Sequence, residues 1–244
     1  VIDARKEFFE IVVGNFIRGY HQGITPNPCL TCNRQIRWGL LLENAINMGA
    51  EALASGHYAR LVKNPAGCIE LHRGADLDKD QSYVLSMLDQ DQLTRTILPL
   101  GELSKPEVRA LAKKFGLVTA EREDSQDLCF LADEDYRSFL ARHVPTAIVP
   151  GKIIDQTGKL LGQHTGLAHY TIGQRKGLGI SSQKPLYVLE KWIDENILVV
   201  GEESALGHRR LRADQVNWIS GKAPSSPFAA GVKVRYRSPL FEAI

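Results

Sequence analysis

Cysteine is scarce in this chain, with four in 244 residues. That is too few for a disulfide-stapled scaffold and fits a reducing compartment in which thiols are kept for chemistry. No stretch approaches the ~18 consecutive apolar residues of a membrane span. A secretory leader is not expected, because Val1-Ile2-Asp3-Ala4-Arg5-Lys6 leads straight into an amphipathic segment. Charge of one sign is lacking too: 30 Lys and Arg stand against 28 Asp and Glu, a net charge of +2. Bulk charge therefore gives no argument for nucleic acid, which would need a local basic surface. There is no second C-x-x-C, no internal repeat and no low-complexity tract. What remains is an ordinary globular composition, 43% hydrophobic and 24% charged. It suffices for one large domain or two to three small ones.

Three of the cysteines lie in polar surroundings, in Cys29-Leu30-Thr31-Cys32 and Asp127-Leu128-Cys129. A thiol among Asn, Asp, Ser and Thr is accessible and more easily ionised, as reactivity or metal ligation requires. Cys32 and Cys129 are remote in sequence, so any functional pairing between them must be made by the fold. Cys68 falls in a returning strand and reads as structural. Cys29-x-x-Cys32 is open to three readings: a redox pair, half of a zinc site, or part of an iron–sulfur site. Zinc is the weaker, since the His residues offer only His164-x4-His169.

Helical periodicity covers residues 3–18, with Asp3 as N-cap and breaks at Gly19 and Gly23. Thr25-Pro26-Asn27-Pro28 reads as extended or turning. A second helix is predicted over 33–48, with Ile36, Leu40, Leu41, Ala45 and Met48 as its core stripe and Gly49 as its stop. This puts Cys32 at a helix N-terminus, where the dipole favours a thiolate. The short apolar run from Ala50 to Ala54 resembles a buried parallel strand ending at Ser55-Gly56-His57, the place where α/β proteins put their ligands. A hairpin is expected around Asn64-Pro65-Ala66-Gly67. A capped helix begins at Ser104-Lys105-Pro106-Glu107. Leu117-Val118 reads as a new strand, and Tyr136, Phe139 and Leu140 as a short helix. From about residue 145 short runs and frequent turn signals indicate small β structure, including an alternating run from Val232 to Arg237.

Gly173-Gln174-Arg175-Lys176-Gly177-Leu178-Gly179 joins two cations to flexible glycines, a loop able to follow a phosphate backbone. Arg235-Tyr236-Arg237 offers charge with a stacking ring, and His208-Arg209-Arg210 adds another basic cluster. Each is equally consistent with an ordinary turn or exposed strand face. His57 is either a strand-end site residue or a capping or core histidine. Lys79, Asp80 and Gln81 read by composition as a solvated turn.

Five segments occur together and in order: Thr25-Pro26-Asn27-Pro28 with Cys32-Asn33, Gly56-His57-Tyr58, Lys79-Asp80-Gln81-Ser82-Tyr83, Asp124-Ser125-Gln126-Asp127-Leu128-Cys129-Phe130, and Tyr170-Thr171-Ile172-Gly173 running to Gly179. Together they resemble the tRNA-specific 2-thiouridylases along essentially the whole chain. The resemblance implies an α/β fold. It comprises a partial PP-loop, Rossmann-type nucleotide-binding domain over residues 1–134, a small, mostly β central domain over 135–205, and the start of a C-terminal β-barrel over 206–244. It implies an enzyme that uses ATP and Mg2+ to adenylate the wobble uridine of tRNA and then replaces its 2-oxygen by sulfur. By the same resemblance Cys129 takes sulfur as a persulfide, and Cys32 is the nucleophile that helps release it, leaving a Cys32–Cys129 disulfide. Gly56 contacts ATP. Asn27, Pro28 and Cys29 grip the target base, while His57, Lys79, Asp80, Gln81, Arg235 and Tyr236 contact tRNA. The implied partners are tRNA and a persulfide-donor protein. The implied state is a monomer with no membrane association, in a bacterial cytoplasm or an organelle matrix.

Two departures from the family pattern matter. The Ser-Gly-Gly-Val-Asp-Ser phosphate loop, expected N-terminal to Cys32, is not in this sequence. The chain reads as a fragment missing material at both ends; weak ATP binding, and with it no thiolation by the fragment alone, is expected. Many relatives have Asp where this chain has Cys29, so Cys29, Cys32 and Cys129 are alternative ligands for an iron–sulfur cluster. Two other functions stay open: a catalytically silent RNA-binding fragment, and a thiol redox protein using Cys29 and Cys32.

Overall fold

The structure, a computed structural model, describes all residues except 122–127, 132–133, 208 and 236–237. Helix α1 runs through the consecutive stretches Arg5–Phe8, Phe9–Val13 and Gly14–His21, and α2 through Pro28–Thr31, Cys32–Leu41 and Leu42–Asn47. There follow β1 (Leu53–Ala54), β2 (Ala59–Lys63), β3 (Ile69–Arg73), α3 (Gln90–Thr94), β4 (Thr96–Ile97) and α4 (Lys105–Lys114). The rest comprises α5 (Tyr136–His143), β5 (Gly151–Asp155), β6 (Leu160–His164), β7 (Tyr187–Trp192), β8 (Ile197–Gly201), β9 (Ala230–Val232) and β10 (Phe241–Ala243). The middle stretches of α1 and α2 have the wider π-helical turn.

The chain divides into two units, one of Val1–Ala4, Cys29–Asp124 and Asp214–Ile244, the other of Arg5–Pro28 and Ser125–Ala213. In the first, β1 and β4 pair in parallel and β2 and β3 form the expected hairpin. Trp38, Leu42, Ala59, Val84, Leu85, Leu88 and Leu93 make its core. Gln90 closes the edge of that core. Its side chain accepts from Ile69 N at 2.8 Å and donates to Ile69 O at 2.8 Å and Ile219 O at 2.7 Å.

In the second unit a four-stranded sheet runs in the order β6-β5-β8-β7, with β5 and β8 parallel and the outer pairs antiparallel. Ile153, Leu167, Tyr170, Leu178, Val188, Leu198 and Val200 pack within it. A separate aromatic cluster joins α1 to α5: Phe16 lies 4.8 Å from Tyr20, 5.3 Å from Phe130 and 6.1 Å from Phe139, ring centre to ring centre. Burying an aromatic of this size contributes about 1.5–3 kcal/mol.

Several expectations are corrected. Helix α1 continues through Gly19 to His21, and glycine stands there because Pro26 packs so close that a Cβ would lie 2.9 Å from Pro26 Cγ. Pro28 starts α2 instead of preceding it, since proline's missing N–H costs nothing in a first turn. Met48 is exposed, and Trp38 and Leu42 take its place in the core. Leu117 and Val118 lie in turn structure with exposed side chains. The last expected strand is displaced: β9 ends at Val232, and Lys233 to Arg235 are not strand. Helix α4 forms with its full Ser104–Glu107 capping box, yet none of its residues is buried.

Candidate functional site

The carboxyl end of β1 delivers Ser55, Gly56 and His57, as its parallel pairing with β4 would suggest. Ser55 N donates to Ile97 O at 3.0 Å, which fixes where the strand ends. Gly56 is exposed, with an ordinary backbone conformation. A Cβ at this position would meet only Leu100 Cδ1, at 3.5 Å. The protein's own packing therefore does not demand glycine at this position.

His57 is 8% exposed. Its Nδ1 lies 2.7 Å from Ser55 Oγ, and its ring centre is 5.6 Å from that of Trp38. Trp38 is held in turn by its indole N–H, which donates to Thr96 Oγ1 at 2.5 Å. Burial, and secondarily the Arg37 guanidinium, lower the His57 pKa from 6.5 to about 4. The ring is therefore neutral at physiological pH. The folded protein takes up fewer protons than the unfolded chain between those two values, so this contribution to stability is complete above about pH 6.5 and is lost as pH falls toward about 4. A gap of that size amounts to roughly 3 kcal/mol. His57→Gln is expected to flatten the acid limb in urea melts across that range; an unchanged limb would assign it to other groups.

Asp80 and Gln81 are fasteners of their own loop. Asp80 Oδ1 accepts from Gly74 N and Ser82 N, each at 3.1 Å, and Oδ2 from Ser82 Oγ at 3.0 Å. Gln81 brackets Tyr58: its backbone N donates to Tyr58 O at 2.9 Å, and its Oε1 accepts from Tyr58 N at 3.2 Å. Lys79 is half-buried, its N donating to Asp76 O at 3.1 Å. The Tyr58 hydroxyl is buried without a hydrogen-bond partner, and Lys105 Nζ lies 5.6 Å from the centre of its ring.

Cys29 is exposed in the first turn of α2, and Cys32 is half-buried one turn further on. Cys32 is therefore not at the helix terminus, and the dipole argument made for it applies to Cys29 instead. Neighbouring Asn33 is buried and donates through Nδ2 to Val84 O at 2.9 Å, anchoring this turn. Both cysteines belong to the first unit.

In the second unit, Asn27 is exposed and Pro28 buried. The hydroxyls of Thr25 and Thr171 lie 3.2 Å apart, tying the Thr25-Pro26-Asn27-Pro28 segment to the Tyr170–Gly179 segment. Cys129 is exposed on a tight turn closed by Leu131 N donating to Leu128 O at 3.0 Å. Leu131 is buried, and Leu128 and Phe130 pack on the aromatic cluster. The thiol thus faces solvent from a turn whose flanking side chains are seated in the core. Asp124–Asp127 lie outside the described residues, as does Tyr236; Arg235 is exposed, and its N donates to Ser238 Oγ at 3.2 Å. Among the described residues no three His, Cys, Asp or Glu side chains are grouped as metal ligands.

Residues 1–133 match the family described as tRNA methyl transferase HUP domain, and residues 137–202 that described as tRNA methyl transferase PRC-barrel domain. The tRNA-specific 2-thiouridylase MnmA of Magnetococcus marinus is 44% identical over 243 residues, covering 100% of this chain and 68% of its own length. That of Synechococcus sp. is 46% identical over 241 residues, covering 98% and 67%. That of Trichlorobacter lovleyi is 48% identical over 238 residues, covering 97% and 67%. The chain belongs to the tRNA-specific 2-thiouridylase family.

For a 2-thiouridylase, the expected fold follows: a HUP-type α/β domain and then a PRC-barrel domain. No helix among the described residues is long and apolar enough to cross a membrane. Three features escaped the sequence reading. Trp38 falls outside the stripe read for its helix and gives no sign in sequence that its partner is His57. Leu128 and Phe130 flank Cys129 but look like ordinary core residues. Ser182 and Lys184 follow the basic glycine segment without any motif of their own, yet they line a cavity with it.

Proposed function

We propose that this chain inserts sulfur at C2 of the wobble uridine of tRNA. The observation that carries the reading is its similarity, along its whole length, to proteins named for that activity. The exposed Cys129 turn and the Cys32 turn of α2 support it. ATP, with Mg2+, supplies an adenylyl group that turns the uridine 2-oxygen into a leaving group, departing as AMP. Gly56, whose Cβ position is open, fits a nucleotide approaching the end of β1.

Cys129 receives sulfur from a persulfide-donor protein and carries it as Cys129–S–SH. The outer sulfur bonds to C2 as the activated oxygen leaves. The Cys32 thiolate attacks Cys129 Sγ and breaks the S–S bond, which frees the thiouridine and leaves a Cys32–Cys129 disulfide. A thiol reductant then resets the pair. The target base leaves the anticodon stack to react, and Asn27, Pro28 and Cys29 would hold it. Lys79, Arg235 and Tyr236 would contact the rest of the tRNA, with Asp80 and Gln81 shaping the loop that carries Lys79.

The test is ATP-dependent formation of 2-thiouridine on a tRNA transcript, read by mass spectrometry of nucleosides, with cysteine persulfide as donor. Product in the absence of ATP, or none with donor present once ATP binding to the protein is saturated, would refute the proposal. Stoichiometric iron and acid-labile sulfide after anaerobic purification, lost in Cys29→Ser, would replace the persulfide route by a cluster held by Cys29, Cys32 and Cys129. Gly56→Ala separates ligand approach from packing. It is expected to leave the melting temperature unchanged, because the added methyl makes only ordinary contact, while ATP affinity falls about tenfold by titration calorimetry.

A further inference from the structure

A polar cavity in the second unit has no part in the chemistry above. It is open to solvent, has a volume of 390 Å³, and is lined by Arg175, Gly177, Gly179, Ser182 and Lys184, with Leu178 among its walls. We propose that it binds the sugar–phosphate backbone of the tRNA, a site apart from the one that holds the reacting base.

Several observations converge on an anionic, extended ligand. Gly173, Gly177 and Gly179 have φ of +80°, +78° and +69°. A Cβ at Gly179 would meet nothing within 4 Å, so glycine is required there by backbone conformation and not by crowding. Among the described residues, no backbone N–H from Arg175 to Gln183 donates to another protein group. A run of free amides in a loop with left-handed residues is the arrangement that cradles phosphate. Arg175 and Lys176 are exposed and make no ion pair among the described residues. Lys184 also lines the cavity, its Nζ 2.7 Å from Glu202 Oε1.

The loop is fixed in advance. Gly173 N donates to Val188 O at 2.7 Å, and Val188 N to Gln174 O at 2.9 Å. The Gln174 side chain accepts from Thr171 N at 3.0 Å and donates to Lys176 O at 2.9 Å. Leu178 is buried in the sheet's core and holds the middle of the loop down. Donors held in place by these bonds lose little entropy when a phosphate arrives. The cavity's polar lining and open mouth suit a backbone passing through better than an enclosed small molecule, whose sites are mostly apolar and bury their ligand. The Thr25–Thr171 contact ties the start of this segment to the Thr25-Pro26-Asn27-Pro28 segment assigned to the target base.

This inference rests on tRNA being the substrate. Its test is equilibrium binding of a tRNA transcript by fluorescence anisotropy across a salt series, with the wild type, Arg175→Ala and Ser182→Asp. Removing the guanidinium is expected to weaken binding about five- to tenfold and to reduce the salt slope by roughly 0.7–0.9. A carboxylate introduced at residue 182 is expected to weaken binding more. Melting temperatures should match the wild type, since both side chains face the open cavity. Wild-type affinity and salt slope in both variants would overturn the inference while leaving thiolation standing. A wild type that binds tRNA, with binding weakened in both variants, but never thiolates it would overturn the proposed chemistry and support the cavity site. A wild type that binds no RNA would overturn both.

Discussion

Cys129→Ser is expected to lower 2-thiouridine formation by on the order of a thousandfold or more, with tRNA affinity unchanged. Serine keeps the shape of the turn, but its oxygen cannot carry a transferable sulfur. The variant is thereby blocked before any bond to the base can form. Cys32→Ser should be as inactive for a different reason, and the two variants can be told apart. With labelled persulfide donor, Cys32→Ser retains one extra sulfur on Cys129, because loading precedes the step in which Cys32 acts; Cys129→Ser retains none. The predicted disulfide should also be absent from both variants and present in wild type after a single turnover without reductant. Thiolation at the wild-type rate in either variant would end the persulfide scheme. Labelled sulfur on Cys32 in place of Cys129 would reverse the two roles.

Phe16→Ala is expected to have the largest effect on folding. Phe16 is 2% exposed and its ring meets Tyr20, Phe130 and Phe139. Truncation removes the ring and leaves a cavity among rigid aromatic neighbours, a combination that costs about 3–5 kcal/mol. The consequence should reach the site. Phe130 follows Cys129 directly, so a loosened Phe130 frees the turn that presents the thiol. Alkylation of Cys129 by a thiol reagent should therefore change rate in Phe16→Ala at temperatures where the variant is still folded. Urea unfolding gives the first quantity, and peptide mass mapping gives the second. A loss below about 1 kcal/mol would mean that the cluster does not hold the turn.

Local signals were the ones legible from sequence. The Ser104–Glu107 capping box, the Asn64–Gly67 hairpin turn and the Gly49 helix stop all depend on residues within a few positions of one another, and all appear in the structure as expected. The failures share a cause, which is a partner remote in sequence. Gly19 serves close packing against Pro26 instead of ending the helix, and Trp38 is drawn inward by Thr96 and His57. Pro28 departs from its sequence expectation for a subtler reason: proline usually breaks a helix, yet a first helical turn accommodates it. Moving the helix start to Pro28 shifts the dipole's influence from Cys32 to Cys29. Roles for the cysteines came from their motifs and family likeness, whereas the support beneath Cys129, supplied by Leu128, Phe130 and Leu131, needed coordinates.

The fastening of the loop between β3 and the Ser82–Leu85 turn has its own consequence for genetics. Asp80 spends both carboxylate oxygens on Gly74 and Ser82. A survey scored only by modified tRNA in cells would register Asp80 as intolerant and invite the conclusion that it touches nucleic acid. Asparagine, which keeps an oxygen for the two amides, should pass such a survey where alanine and lysine do not.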